Sequence, residues 1–129
     1  KAGVIGCGGR GSGAAFDFLN AANGVTIVAL ADTFKERVDA LADKLKSEKN
    51  IDIPADKRFV GLDAYKQLID SGVDVVIVAT PPVFRPVHFQ YAVEKGKHCF
   101  LEKPICVDPV GYRTIMATAK QAQAKIYVS

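Results

Sequence analysis

The chain has 129 residues, 49% of them apolar and 24% charged, so its length suits one ordinary globular domain and neither disorder nor a low-complexity class fits. Its 17 Lys and Arg against 14 Asp and Glu give a net charge of +3 with the two signs interleaved, which argues against nucleic-acid binding. The longest apolar run, Val73 to Pro82, contains Asp74 and is too short to cross a bilayer.

Short runs of β-branched residues alternate with stretches of helical period, the pattern of a parallel sheet with helices on its faces. Ala2 to Ile5 is the first expected strand. After a glycine cluster comes a helix with Ala14, Ala15, Phe18, Leu19 and Ala22 on one face, closed by Gly24. Val25 to Ala31 is the second strand, followed by a helix whose stripe is Val38, Leu41, Ala42 and Leu45. A short third strand is expected at Lys57 to Val60. Asp63 is a candidate cap for a helix carrying Tyr65, Leu68 and Ile69, and Gly72 ends it. The apolar strand Asp74 to Ala79 reads as buried on both faces. Pro86 to Glu94 suits a helix ending before Gly96, His98 to Leu101 a fifth strand, and Asp108-Pro109 the start of a helix burying Val110, Ile115, Met116, Ala119 and Ala122. Ile126 to Val128 makes a sixth strand. These elements predict a three-layer α/β/α fold with a doubly wound parallel sheet in the order 3-2-1-4-5-6.

The first strand runs into Gly6-Cys7-Gly8-Gly9-Arg10-Gly11, a G-x-G-x-x-G turn between a strand and a helix. Gly6 permits the tight turn, Gly8 lets backbone approach a pyrophosphate, and Gly11 allows close helix-to-strand packing. The helix that follows offers unpaired N–H groups and a partial positive charge to phosphates. Asp32, 21 positions after Gly11, matches the acidic residue that bonds the adenosine ribose of a dinucleotide. A carboxylate there accepts from two ribose hydroxyls and repels a 2′-phosphate, so NAD is favoured over NADP. Lys35 and Arg37 weigh the other way, although both also suit an exposed helix face.

Ala79-Thr80-Pro81-Pro82 and Glu102-Lys103-Pro104 follow the fourth and fifth strands, at the carboxyl ends where open α/β sheets hold ligands. With Gly6 to Gly11, Asp32 and Gly96-Lys97-His98, they make the chain resemble, over nearly its whole length, the amino-terminal half of the glucose-fructose oxidoreductase, inositol dehydrogenase and MocA family. The resemblance implies an NAD(P)-binding Rossmann domain over residues 1–129, then a separate carboxyl-terminal domain for a sugar or polyol, through which any homo-oligomer would form. It implies that Lys103 lies near the nicotinamide and the reacting carbon, where a cation can orient a hydroxyl, stabilise an alkoxide or relay a proton. Glu102 is expected to order the ribose or to pair with Lys103. Thr80, Pro81 and Pro82 shape the cofactor wall, and a cis Lys103-Pro104 bond is suggested. The family often has a histidine where this chain has Arg85, which therefore becomes a candidate contact for an anionic or hydroxyl-rich ligand, while His88 reads as an ordinary helix residue.

Cys7, Cys99 and Cys106 are an odd number without C-x-x-C spacing, which disfavours a disulfide framework and a zinc site and makes a reducing, cytoplasmic compartment the default, and none has a convincing base partner nearby in sequence, which disfavours a thiol nucleophile. The chain opens at Lys1 without a Met and reads as a piece of a longer protein. The expected activity of the parent is hydride transfer between NAD and a sugar or polyol hydroxyl. A glycosidase that oxidises its sugar transiently on bound NAD and a non-catalytic NAD-sensing domain are the alternatives. A methyltransferase would share the glycine turn but leaves Glu102-Lys103-Pro104 without a reason.

Overall fold

Six strands pair in the order β3-β2-β1-β4-β5-β6, all parallel: β1 Ala2–Ile5, β2 Ile27–Asp32, β3 Arg58–Val60, β4 Val75–Val78, β5 His98–Leu101 and β6 Tyr127–Val128. This is the order that the sequence pattern predicts. The structure is a computed structural model that describes residues 1–122 and the backbone of 127–128; Ile126, expected to open the last strand, lies outside the described residues. Five helices connect the strands: α1 Gly9–Ala21, α2 Lys35–Lys49, α3 Ala64–Ile69, α4 Arg85–Glu94 and α5 Pro109–Gln121.

The alternation of side chains along each strand divides the interior into two cores. On one face Ala29, Ala31, Val76 and Val78 pack with Leu68, Phe89 and Ile115 of α3, α4 and α5. On the other Val4, Leu30 and Ile77 pack with Ala15 of α1 and with Val38, Leu41 and Leu45 of α2. β4 feeds both layers, which is why its sequence is a continuous apolar run.

Turn chemistry ends the helices much as the sequence suggests. Gly96 (φ +71°) follows α4, with its N–H bonded to Val93 O and that of Lys97 to Ala92 O, a double bond pattern that closes the helix. Asp108 caps α5 by accepting from the Gly111 amide at 2.6 Å.

Four expectations need correction. α1 ends at Ala21 with extended backbone at Ala22, so Gly24 (φ +79°) belongs to the following turn, and Ala22 is exposed. Asp63 precedes α3 without capping it, its carboxylate pairing with Lys66 at 3.4 Å instead. β2 starts at Ile27, two residues later than expected. On α5 the buried stripe is Ile115, Thr118 and Ala122 at helical spacing, while Val110 and Met116, turned to either side of it, are exposed.

Candidate functional site

Strand register gathers the site. Ile5 lies beside Ala31 and Val78, and Val78 beside Leu101. One residue further on the ladder continues, with Gly6 N–H donating to Ala31 O (2.8 Å), Ala79 N–H to Ile5 O (2.8 Å) and Glu102 N–H to Val78 O (3.0 Å). The carboxyl ends of β2, β1, β4 and β5 are thereby held level, and the glycine turn, Asp32, the Thr80 turn and the Lys103 loop share one edge of the sheet. A cleft of about 510 Å³ opens there, and Gly6, Gly8, Gly9, Arg10, Gly11, Asp32, Thr80 and Pro81 all line it.

The glycines divide their roles as the turn requires. Gly6 sits at φ +91°, and a Cβ on it would come within 2.7 Å of the Thr80 backbone N. A Cβ on Gly11 would stand 1.6 Å from the carbonyl oxygen of Gly6, so the helix reaches the strand only because no side chain intervenes. A Cβ on Gly8 would meet nothing within 4 Å and would fill the open cleft. No side chain caps the amino terminus of α1, and its first amides remain available to an anion.

Asp32 is buried at the end of β2. Its Oδ2 accepts from the Cys7 amide at 2.7 Å and its Oδ1 from the Phe34 amide at 2.9 Å, so the carboxylate is fixed while each oxygen keeps further accepting capacity. Of the two basic residues that follow, Lys35 pairs with Asp39 and lies outside the cleft wall. Arg37 lines the cleft, its guanidinium 5.0 Å from the centre of the Phe34 ring.

Pro82, Glu102 and Lys103 do not line the cleft, against expectation. Glu102 is buried, and its partner is Arg10: Oε1 accepts from Arg10 Nε at 2.8 Å and Oε2 from the Lys103 amide at 3.1 Å. The Arg10 hydrogen bond holds the Glu102 carboxyl below the usual carboxylate range. Lys103 itself is exposed, its ammonium making no ion pair among the described residues, and the Lys103-Pro104 bond is cis.

Arg85 lines the cleft, where the expected ligand contact would be, but much of its guanidinium is engaged within the protein. It is buried, donating from Nε to Thr80 O (2.6 Å) and from Nη1 to the carbonyls of Glu102 (2.5 Å) and Pro104 (2.5 Å), and so braces the Thr80 turn against the Lys103 loop. His88 is more than an ordinary helix residue. It lines the cleft with Nδ1 3.0 Å from Thr80 Oγ1 and its ring 4.3 Å from that of Tyr65, and burial pulls its pKa down to about 4. In sequence only its spacing of three residues from Arg85, on the inner face of the same helix, could have marked it.

This has a consequence for acid stability. A histidine whose folded pKa lies below the usual 6.5 takes up its proton in the unfolded chain first, so stability is complete above pH 6.5 and falls as the pH drops towards 4. With His88 only 7% exposed, the loss amounts to about 3 kcal/mol. Unfolding free energies from urea titrations at pH 7 and pH 4.5 are expected to differ by about 2 kcal/mol more in the wild type than in His88→Gln, the remainder being lost at still lower pH.

Burial likewise pushes the thiols of Cys7 and Cys99 up to about 12, so neither is a thiolate at neutral pH. Among the described residues no cluster of potential metal ligands occurs, and no helix is long and apolar enough to cross a membrane.

A parallel sheet in this order, with a glycine turn at its centre and an acidic residue ending the neighbouring strand, defines a dinucleotide-binding Rossmann domain. The chain belongs to the glucose-fructose oxidoreductase, inositol dehydrogenase and MocA family, described as an oxidoreductase family with an NAD-binding Rossmann fold, whose profile matches residues 1–129. A glycosyl hydrolase family 109 protein of Streptomyces coelicolor is 28% identical over 98% of this chain and 26% of its own length. The scyllo-inositol 2-dehydrogenase (NAD(+)) of Bacillus subtilis is 31% identical over 79% of this chain and 27% of its own length. The crystal structure of myo-inositol 2-dehydrogenase from Lactobacillus plantarum shares the fold, with a TM-score of 0.79 at 24% identity, over 99% of this chain and 35% of that one. The chain thus spans about a quarter of the length of these curated relatives.

Proposed function

We propose that this chain is the cofactor domain of an NAD-dependent oxidoreductase that moves a hydride between nicotinamide and a secondary hydroxyl of a sugar or polyol, with the substrate held by a further, carboxyl-terminal domain. The observation that carries the reading is the convergence of Gly8, Gly11 and Asp32 on one cleft beside an uncapped helix terminus. That cleft suits the cofactor, because Gly8 and Gly9, where a Cβ would meet only open space, line it where phosphates must approach backbone. When bound, the nicotinamide supplies the hydride chemistry.

The chain's own residues bind, orient and stabilise. Amides of the glycine turn and α1 would hold the pyrophosphate, and Asp32 the adenosine ribose. Lys103, displayed on a loop that Arg85 braces on both sides, would orient the reacting hydroxyl and offset alkoxide charge. The substrate class follows the inositol dehydrogenase relative.

The fixed Asp32 carboxylate favours NAD over NADP, because a 2′-phosphate would bring like charge against it. In Asp32→Ala, NAD affinity is expected to fall by about tenfold or more, the worth of hydrogen bonds to a charged acceptor, while NADP changes far less. Calorimetric titration with both cofactors checks this, and tighter wild-type binding of NADP than NAD would overturn the assignment.

A second reading draws on the relatives named as glycosyl hydrolase family 109 proteins. A glycosidase that oxidises its sugar transiently would use the same cleft but release hydrolysed sugar with no net reduced cofactor. Product analysis of the full-length protein separates the two.

A further inference from the structure

Glu102 is held at three atoms by groups from three parts of the chain. Its two carboxylate oxygens accept from Arg10 Nε and from the Lys103 amide, and its carbonyl accepts from Arg85. The two arginines are not equivalent. Arg85 is buried on three carbonyls and cannot leave without orphaning them. The Arg10 side chain is 51% exposed while that of Glu102 is 8% exposed, and Arg10 lines the cleft whereas Glu102 does not. The other partner of Arg10 is the exposed Asp17, at 3.5 Å.

An ion pair with one half-exposed member is weak and exchanges readily, whereas a phosphate offers a guanidinium two charge-assisted hydrogen bonds at once. Arg10 is also the fifth residue of the glycine turn, in the first turn of α1, beside the amides that would hold the pyrophosphate. We infer that Arg10 exchanges partners, clamping Glu102 in the free protein and turning to the pyrophosphate when a dinucleotide binds. Glu102, released, relaxes against the Lys103 amide, and occupancy of the phosphate end is thereby transmitted to the Lys103 loop. Arg10 acts on Lys103 only through Glu102 and is a positioning residue. This inference rests on the dinucleotide reading of the cleft.

The test uses full-length protein labelled with 15N-lysine and ADP as the probe, because ADP carries adenosine and pyrophosphate but no nicotinamide to touch the loop directly. The Lys103 amide resonance is expected to move on saturation with ADP, to stay in place with AMP, and to stay in place with ADP in Arg10→Met. By calorimetry, Arg10→Met should weaken ADP about tenfold, the worth of a charge-assisted contact. Arg10→Lys should recover much of that loss. Glu102→Gln, by freeing Arg10, should tighten ADP about threefold, a change in the range of exposed ion pairs. The double variant should match Arg10→Met. A Lys103 amide that ADP leaves unmoved in the wild type, or Glu102→Gln weakening ADP as much as Arg10→Met, would show a fixed brace and overturn the inference while leaving the dinucleotide reading intact. Wild-type protein that binds neither NAD nor ADP would instead overturn the dinucleotide reading and the inference with it.

Discussion

Replacing Lys103 by Met is expected to lower turnover of the full-length protein by about two orders of magnitude, the range of a positioned acid or base, while NAD affinity stays nearly constant. The split follows from where the groups lie. Gly8, Gly11 and Asp32 line the cleft, whereas Lys103 stands outside it on the neighbouring loop. The loop does not depend on the ammonium for its shape. The Lys103 amide donates to Glu102 Oε2, and Arg85 holds the carbonyls of Glu102 and Pro104 on either side. Met keeps the aliphatic stem and removes only the charge, so what is lost is an interaction strongest with a developing alkoxide. Steady-state rates and NAD titration on the same preparation read the two quantities. Turnover near that of the wild type would remove Lys103 from the chemistry.

Alanine substitutions at Gly11 and Gly8, three residues apart, should have opposite signatures. At Gly11 the new methyl would fall 1.6 Å from Gly6 O, and Gly6 is itself held against the Ala79-Thr80 backbone. Neither neighbour is a side chain that can swing away, so α1 must move off β1. The expected destabilisation is about 3 kcal/mol, at the upper end for overpacking, with cofactor binding lost as the turn opens. At Gly8 the methyl meets nothing within 4 Å, and φ is −72°, which any residue adopts. Thermal stability should therefore hold, while NAD affinity drops by about tenfold or more because the methyl occupies the phosphate approach. Denaturation midpoints and NAD titration on both variants separate scaffold from ligand contact. A Gly8→Ala variant that binds NAD as well as wild type would move the pyrophosphate elsewhere.

Much of this architecture is written in near-neighbour chemistry. β4 reads as a strand buried on both faces because every residue of Val75–Val78 is apolar, and the helices end at Gly96 and begin at Asp108 because backbone sign and side-chain oxygen act within a few residues. The glycine turn and Asp32 are legible for the same reason, since strand, turn and helix are consecutive and the acidic residue ends the next strand. The buried face of α5 is less so. Val110 and Met116 are apolar enough for a core, and only the direction from which α4 and the sheet approach turns Ile115, Thr118 and Ala122 inward instead.

What tertiary structure alone decided are the partners of the polar side chains around the cleft. Arg10 meets Glu102 across 92 positions, Arg85 spans from the Thr80 turn to the Lys103 loop, and His88 settles beside Thr80 under the ring of Tyr65. The Arg10–Glu102 pair and the reach of Arg85 to the Lys103 loop have no local signal, because each depends on which strands are neighbours and on a register that levels the ends of β1, β4 and β5 to within one residue, whereas Thr80 and His88 are eight residues apart in one strand-to-helix segment. A buried guanidinium or imidazole takes whatever partner that register places within reach, since burial without one would be far more costly. Residue types and spacing therefore marked where a dinucleotide is handled, and the packing of the sheet determined which side chains hold Lys103 in place.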